Sequence, residues 1–343
     1  MWLRDKISQA KDDIEGIIAR QPHPFDTVSL LSHQLHESRF SEYIEDSFNI
    51  AEGHIIKSGE GVACEKPALS PIATQWVCNP VNAYLLRNAF THLESGVVYL
   101  GNINKYFLET GWGWAKYRSL KLKRFRKRKA VIIKSKNPVY VFSSSGYHGV
   151  VEDLSAILTL LDRGFKFDIV IDPDDRWMNA LLDLFLPPGV ARIWAPKGAW
   201  IKASLTFSVT KSGFGEFVNK NMIERLSSAA VGFREHRSSN DIFISREDSS
   251  RRASAFESEV ADTYKNSGYK KILLSELPVQ DQVSLFASAR KVAGIHGAGF
   301  VNLVWSAPGV RVDEHFHAFH FNSCYSAISR YLQHRYRCHV LSD

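Results

Sequence analysis

The sequence predicts an α/β protein of two Rossmann-like lobes facing a cleft, with a small β region ahead of them. Three observations predict it. From residue 138 onward, short apolar runs alternate with stretches of helical spacing. A Ser- and Arg-rich stretch, Arg234–Asn240, divides that alternation into two units. Each unit reads strand, helix, strand, helix, strand, which is the order that builds a parallel sheet.

In the first unit Pro138–Phe142 reads as a strand and Ser143-Ser144-Ser145-Gly146 as a loop. Val150, Val151, Leu154, Ile157, Leu158 and Leu161 then recur at helical spacing. Phe167–Ile171 is the next strand. Trp177–Phe185 is a helix stopped by Pro187-Pro188-Gly189, with short strands around Ala191–Trp194 and Leu205–Val209. In the second unit Ile242–Ile244, Lys271–Leu274, Lys291–Ile295 and Val310–Asp313 read as strands. Ser254–Asn266 and Val279–Ala289 are the helices between them, and His296-Gly297-Ala298-Gly299 opens a further helix. Ahead of both units, residues 1–20 carry Ile7, Ile14, Ile17 and Ile18 at helical spacing. Residues 21–80 are irregular, and Tyr84–Tyr106 is a small antiparallel region with a strand at Val97–Leu100. The expected divisions are 1–130, the first lobe at 131–238, the second at 239–320, and a C-terminal helix and tail at 321–343.

A chain of 343 residues is long enough for two such lobes. Hydrophobic residues at 45% and charged residues at 23% exclude a mostly disordered chain. No apolar run approaches the roughly 18–20 residues that span a bilayer, and Met1-Trp2-Leu3-Arg4-Asp5-Lys6 has no apolar signal region. The expected setting is therefore cytoplasmic and bacterial. Cys64, Cys78, Cys324 and Cys338 form no C-x-x-C pair or zinc spacing and read as reduced thiols. The net charge of +7 is concentrated in Lys121–Lys129, where seven of nine residues are basic. That run suits a solvated linker or weak contact with an anionic membrane. A nucleic-acid reading finds no accompanying motif, and a dehydrogenase reading finds no G-x-G-x-x-G after an early strand.

Two segments carry chemistry. Ala293-Gly294-Ile295-His296-Gly297-Ala298-Gly299 places small residues between an apolar strand and a helix, where backbone N–H groups can meet a phosphate. Ile244-Ser245-Arg246-Glu247, followed by Arg251 and Arg252, puts always-charged guanidinium forks just after a strand. Glu257 follows, placed to orient one of those arginines. Asp172-Pro173-Asp174-Asp175 is the nearest approach to a D-x-D metal motif and reads as a turn after a strand.

Together with Asp281–Phe286 and Val312-Asp313-Glu314, these segments resemble glycosyltransferase family 61 over about residues 240–320. A Tyr147-His148 pair and Asp153 upstream are similar to the family as well. Phe300 stands where the family usually has Leu, and Asp313 stands where an apolar residue usually precedes the Glu. The resemblance implies a GT-B-like architecture and an inverting, metal-independent transfer from a nucleotide sugar to a glycan or lipid-linked glycan, without a cofactor. It implies donor binding by Arg246, Arg251, Arg252, Glu257, His296, Gly297, Ala298, Gly299, Asn302 and Glu314, with Glu314 on the ribose. His148 and Asp153 are the candidates for the general base. A role in bacterial capsule, lipopolysaccharide or other surface polysaccharide synthesis follows from the same resemblance, as does the alternative of a non-catalytic member serving as a partner subunit.

Overall fold

The computed structural model describes residues 27–28, 44–52, 54–57, 62–64, 75–78, 80–100, 105–107, 130–211, 219–234, 240–248, 257–317 and 322–341. The helix expected at 1–20, the basic run 121–129, and both Arg251 and Arg252 lie outside the described residues.

The second unit forms a six-stranded sheet in which every neighbouring pair is parallel. Its order is Lys270–Leu273, Asn240–Ser245, Ala289–Ile295, Arg311–His317, Arg335–Leu341 and Val62–Cys64. Ile242, Phe243, Ile244, Val292, Ala293 and Ile295 are all buried, as expected for strands covered on both faces. Two of its strands were not expected. The tail contributes Arg335–Leu341 beside Arg311–His317, and Val62–Cys64, from the stretch that reads as irregular, adds the edge.

The first unit also forms a six-stranded sheet. Arg192–Trp194, Asp168–Ile171, Val139–Val141 and Leu205–Val209 run parallel, and Val81–Arg87 and Ile44–Ala51 continue it antiparallel. The region around Tyr84 therefore belongs to this sheet. A third sheet holds Thr27–Val28, Lys105–Phe107, Val98–Leu100, Ala89–His92, Trp200–Lys202 and Ala130–Ile132. The chain passes from one sheet to the other at Asn88, whose φ of 55° lies in the left-handed region that asparagine tolerates. His54–Lys57 pairs with Gln75–Cys78 in a separate ribbon.

The helix expected from Val150 starts earlier. A turn at Gly146–His148 continues through a π-helical segment, Gly149–Leu154, into Ser155–Asp162. Single π turns of this kind recur at functional sites. Arg176–Phe185 is capped by Asp175, whose side chain accepts from the Met178 amide at 3.2 Å. Lys220–Ala229 is a helix that the sequence pattern did not reveal. Glu257–Asn266, Val279–Ser288 and Cys324–Tyr331 complete the α-helices among the described residues. The helix after His296 is a 3₁₀-helix, Ala298–Trp305. No helix among the described residues is long and apolar enough to cross a membrane.

One continuous apolar cluster takes in residues of both large parallel arrays, from Ile169 and Phe207 to Val292 and Phe316. Phe185 stacks on Trp305 at 4.8 Å, and the Trp177 indole donates to Gln282. Arg234 donates to carbonyls of Ser227, Trp305 and Ser306, tying the end of the 3₁₀-helix to Lys220–Ala229. Cys324 and Cys338 are buried.

The far face of the second sheet holds His315, stacked on His339 at 4.5 Å and bonded to the Tyr264 hydroxyl at 3.0 Å. Burial first, and then His339, push its pKa down to about 3 against the pull of Asp313. The folded protein keeps this ring neutral, while the unfolded chain gains a proton below the ordinary value of about 6.5, so stability falls with pH through that window. Urea unfolding at pH 7.5 and pH 5 should show His315→Gln losing about 2 kcal/mol less than the wild type on acidification. Equal losses in the two proteins would mean that His315 titrates normally.

Candidate functional site

Strand order locates the crevices. Counting strands along the chain within each unit, the four parallel strands of the first sheet run 3-2-1-4, and the first five of the second run 2-1-3-4-5. Ligands of open parallel sheets sit outside the carboxyl ends of the strands, where the order reverses. In the second sheet that point lies between Asn240–Ser245 and Ala289–Ile295, whose ends carry Arg246 and His296.

These two residues meet there. The Arg246 Nη1 donates to the His296 carbonyl at 2.5 Å. Glu257 is buried, and its Oε1 accepts from the Ser245 hydroxyl at 2.9 Å and from the Arg246 amide at 2.5 Å. It therefore fixes the backbone from which Arg246 extends. Gly297 has extended backbone, φ 178°, so its value lies in space. A Cβ there would sit 2.9 Å from Arg246 Nε. Gly299 is similarly crowded by Leu274, while Ala298 is exposed.

Behind this loop His296 Nδ1 lies 2.5 Å from Glu314 Oε1, and the Tyr336 hydroxyl donates to Glu314 Oε2 at 2.6 Å. Glu314 is fully buried, so it backs His296 from inside the sheet. Burial, reinforced by Glu314, pushes the Tyr336 hydroxyl well above its usual range and keeps it a donor. Asn302 is also buried. It donates to the Gly299 carbonyl and accepts from the Trp305 indole, which is a packing role.

The reversal in the first sheet lies between Val139–Val141 and Leu205–Val209. Asp153 is 1% exposed there. It accepts from the Tyr140 hydroxyl at 2.9 Å, from the amides of Ser143 and Ser144, and from Lys211 Nζ at 2.8 Å. Its neighbour Glu152 lies 3.4 Å from His148 Nδ1 and 3.7 Å from Lys211 Nζ. Burial works to raise the Glu152 pKa, yet His148 and Lys211 together hold it below the ordinary value. Burial likewise opposes charge on Lys211, and Asp153 and Glu152 outweigh it.

The two crevices touch through aromatic rings. Tyr325 lies 5.6 Å from Tyr147 edge-on, 5.5 Å from His296 and 5.6 Å from Phe300. The His148 turn and the His296 loop thus share one wall. Glu152 carried a local signal, because it stands four residues after His148 on one helical face. Lys211, Tyr325 and Tyr336 had none, since only folding brings them to the site. Among the described residues no three His, Cys, Asp or Glu side chains converge as they would on a metal ion.

Two glycines separate fold from site. A Cβ at Gly294 would lie 2.9 Å from the Ile244 carbonyl oxygen, which is backbone. One at Gly297 meets only the movable end of Arg246. Gly294→Ala should cost about 1–3 kcal/mol in urea unfolding. Gly297→Ala should cost less than Gly294→Ala, because the atoms its Cβ meets belong to a side chain that can move.

Comparison with known proteins adds one finding. No curated protein matches the chain. The family profile described as Glycosyltransferase 61 matches residues 106–313, a span that holds His148, Arg246, His296 and most of both parallel arrays. By that match over more than half its length, the chain belongs to glycosyltransferase family 61.

Proposed function

We propose that this chain is an inverting, metal-independent glycosyltransferase of GT-B-like design. It moves a sugar from a nucleotide donor at the second sheet to a glycan hydroxyl at the first. The observation that carries the reading is the meeting of Arg246 and His296 at the reversal point of a parallel sheet, in a chain of this family. Arg251 and Arg252, close to Arg246 in sequence, add positive charge to the same segment.

Chemically, the leaving group is an anion and needs cations and donors where its charge develops. The Arg246 fork supplies fixed charge. Glu314 accepts from His296 Nδ1 and leaves Nε2 for the ligand, where it donates to a phosphate oxygen when the ring carries both protons. The amides of Gly297 and Ala298, at the start of the 3₁₀-helix, add further donors. The ribose role expected of Glu314 does not suit a buried carboxylate with both oxygens engaged, so Glu314 is assigned to positioning His296.

Of the two candidate bases, Asp153 is saturated with donors, which suits it to hold the Ser143-Ser144 loop. His148 is the base in this reading, backed by Glu152. It takes the proton of the acceptor hydroxyl. The acceptor oxygen attacks the sugar C1 from the face opposite the nucleotide, the C1–O bond breaks, and the bonding pair leaves on the phosphate. The setting that goes with this chemistry is bacterial surface-polysaccharide synthesis in the cytoplasm. Lys121–Lys129 would give weak contact with the anionic inner face of the membrane.

A thermal-shift screen against UDP-, GDP-, CMP- and dTDP-sugars should identify a stabilising donor, because a ligand raises apparent stability with the logarithm of its concentration over its affinity. Losing a charge-assisted phosphate contact costs about 1.5–3 kcal/mol, so Arg246→Ala and His296→Ala should each weaken that donor by about tenfold or more. Unchanged affinity in both would refute the site. His148→Ala should lower turnover by about 10²–10⁴ with donor affinity retained. Intact turnover would remove His148 as the base.

A further inference from the structure

Lys211 stands just beyond the strand Leu205–Val209, at the reversal point of the first sheet. Its side chain is only 6% exposed. The cavity that it helps to line measures about 10 Å³, room for one water at most and for no sugar ring. A group placed there reaches a substrate only through its neighbours. Those neighbours are two buried carboxylates, Asp153 Oδ1 at 2.8 Å and Glu152 Oε2 at 3.7 Å. Two like charges this close cannot both stay ionised in the interior without a cation beside them. Asp153 has further donors in the Tyr140 hydroxyl and the amides of Ser143 and Ser144. The charged partners of Glu152 are Lys211 and His148. Without Lys211, Glu152 is therefore the carboxylate that takes up a proton.

The state of Glu152 decides which nitrogen of His148 carries the ring proton. An ionised Glu152 accepts from Nδ1–H, and the lone pair then lies on Nε2. A protonated Glu152 donates to Nδ1 instead and puts the ring proton on Nε2, where the ring cannot act as a base. The 3.4 Å between Glu152 Oε2 and His148 Nδ1 is a long contact of the kind that tightens once substrate is bound. Two carboxylates and one ammonium also leave one net negative charge beside the ring, so a proton gained by His148 brings the group to neutrality. Tyr147 lies edge-on to the His148 ring at 5.1 Å, and Cys324 and Tyr325 lie against Tyr147. His296 lies beyond Tyr325. Burial first pushes the Tyr140 and Tyr147 hydroxyls well above their usual range, so neither competes for the proton. The 3₁₀-helix Ala298–Trp305, packed on the same turn, brings no ionisable side chain. The helices Arg176–Phe185 and Lys220–Ala229 pack on the π-helical segment, and the side chains they bury are apolar apart from Ser227.

We infer that Lys211 is a positioning residue for proton transfer: by holding Glu152 ionised, it keeps the His148 ring proton on Nδ1 and leaves Nε2 to take the proton of the acceptor hydroxyl. The inference deepens the glycosyltransferase reading and rests on its choice of His148 as the base. The proton passes from the acceptor oxygen to Nε2, and Lys211 keeps its own protons throughout.

The test reads the tautomer directly, by nitrogen-15 NMR of the histidine-labelled full chain at about pH 8, above the ordinary histidine range. His148→Gln assigns the His148 signals. The wild-type ring should carry its proton on Nδ1. In Lys211→Met the proton should move to Nε2, and in Lys211→Arg it should stay on Nδ1. Asp153→Asn combined with Lys211→Met removes the ion pair as a unit, which keeps the test valid if Lys211→Met alone fails to fold. The double variant should show the same move to Nε2. A purely structural lysine would change stability and leave the tautomer where it was. Nucleotide-sugar thermal shifts and turnover are measured on the same samples. Both variants with Met at 211 should bind the donor as the wild type does and turn over about 10²-fold more slowly. A wild-type ring protonated on Nε2, a proton that stays on Nδ1 without Lys211, or unchanged turnover in those variants would each overturn the role of Lys211 alone. Absence of any nucleotide-sugar shift, or intact turnover in His148→Ala, would instead sink the parent reading.

Discussion

The close lateral approach of Ala289–Ile295 to Asn240–Ser245 is the constraint on which the candidate donor site depends. Gly294 has no room for a side chain, because the Ile244 carbonyl fills that space. One step further along the same two strands, the absence of a side chain at Gly297 lets the Arg246 guanidinium lie over the loop and reach the His296 carbonyl. A parallel sheet brings the ends of two sequence-distant strands to one edge. The glycines decide how near the charged groups at those ends can come.

Charge is handled differently in the two crevices. At the second sheet, buried carboxylates stand behind the functional groups. Glu257 holds the Arg246 backbone, and Glu314, itself held by Tyr336, holds the His296 ring. At the first sheet, Asp153, Glu152 and Lys211 form a buried cluster with His148 at its rim. Buried ion pairs contribute little net stability against well-packed apolar groups. Such a cluster is better understood as fixing one geometry for the loop Ser143–Ser145 and the turn that follows it. The π-helical segment Gly149–Leu154 belongs to the same arrangement, because it directs both Glu152 and Asp153 inward.

The packing between the units also bears on the site. Trp305 stacks on Phe185, Gln282 bridges Trp177 to carbonyls of Leu274 and Leu277, and Arg234 clamps the end of Ala298–Trp305. The 3₁₀-helix that begins at the glycine loop is therefore anchored at its far end against helices of the first unit. Tyr325 closes the near end between Tyr147 and His296.

The sequence by itself determined the alternation of strands and helices from residue 138 onward, because apolar periodicity and Gly or Pro stops are local properties of the chain. It also determined the two loops that carry Arg246 and His296, since small residues after an apolar strand are visible without a fold. Only the tertiary structure decided that Val62–Cys64 and Arg335–Leu341 complete the second sheet, because strand pairing between distant segments leaves no periodic trace. Tertiary structure likewise surrounded Asp153 with donors and placed Glu314 in the interior beside Tyr336. Burial and hydrogen-bond saturation are properties of the packed neighbourhood, and a carboxylate in a sequence looks the same whether it will face a ligand or a tyrosine.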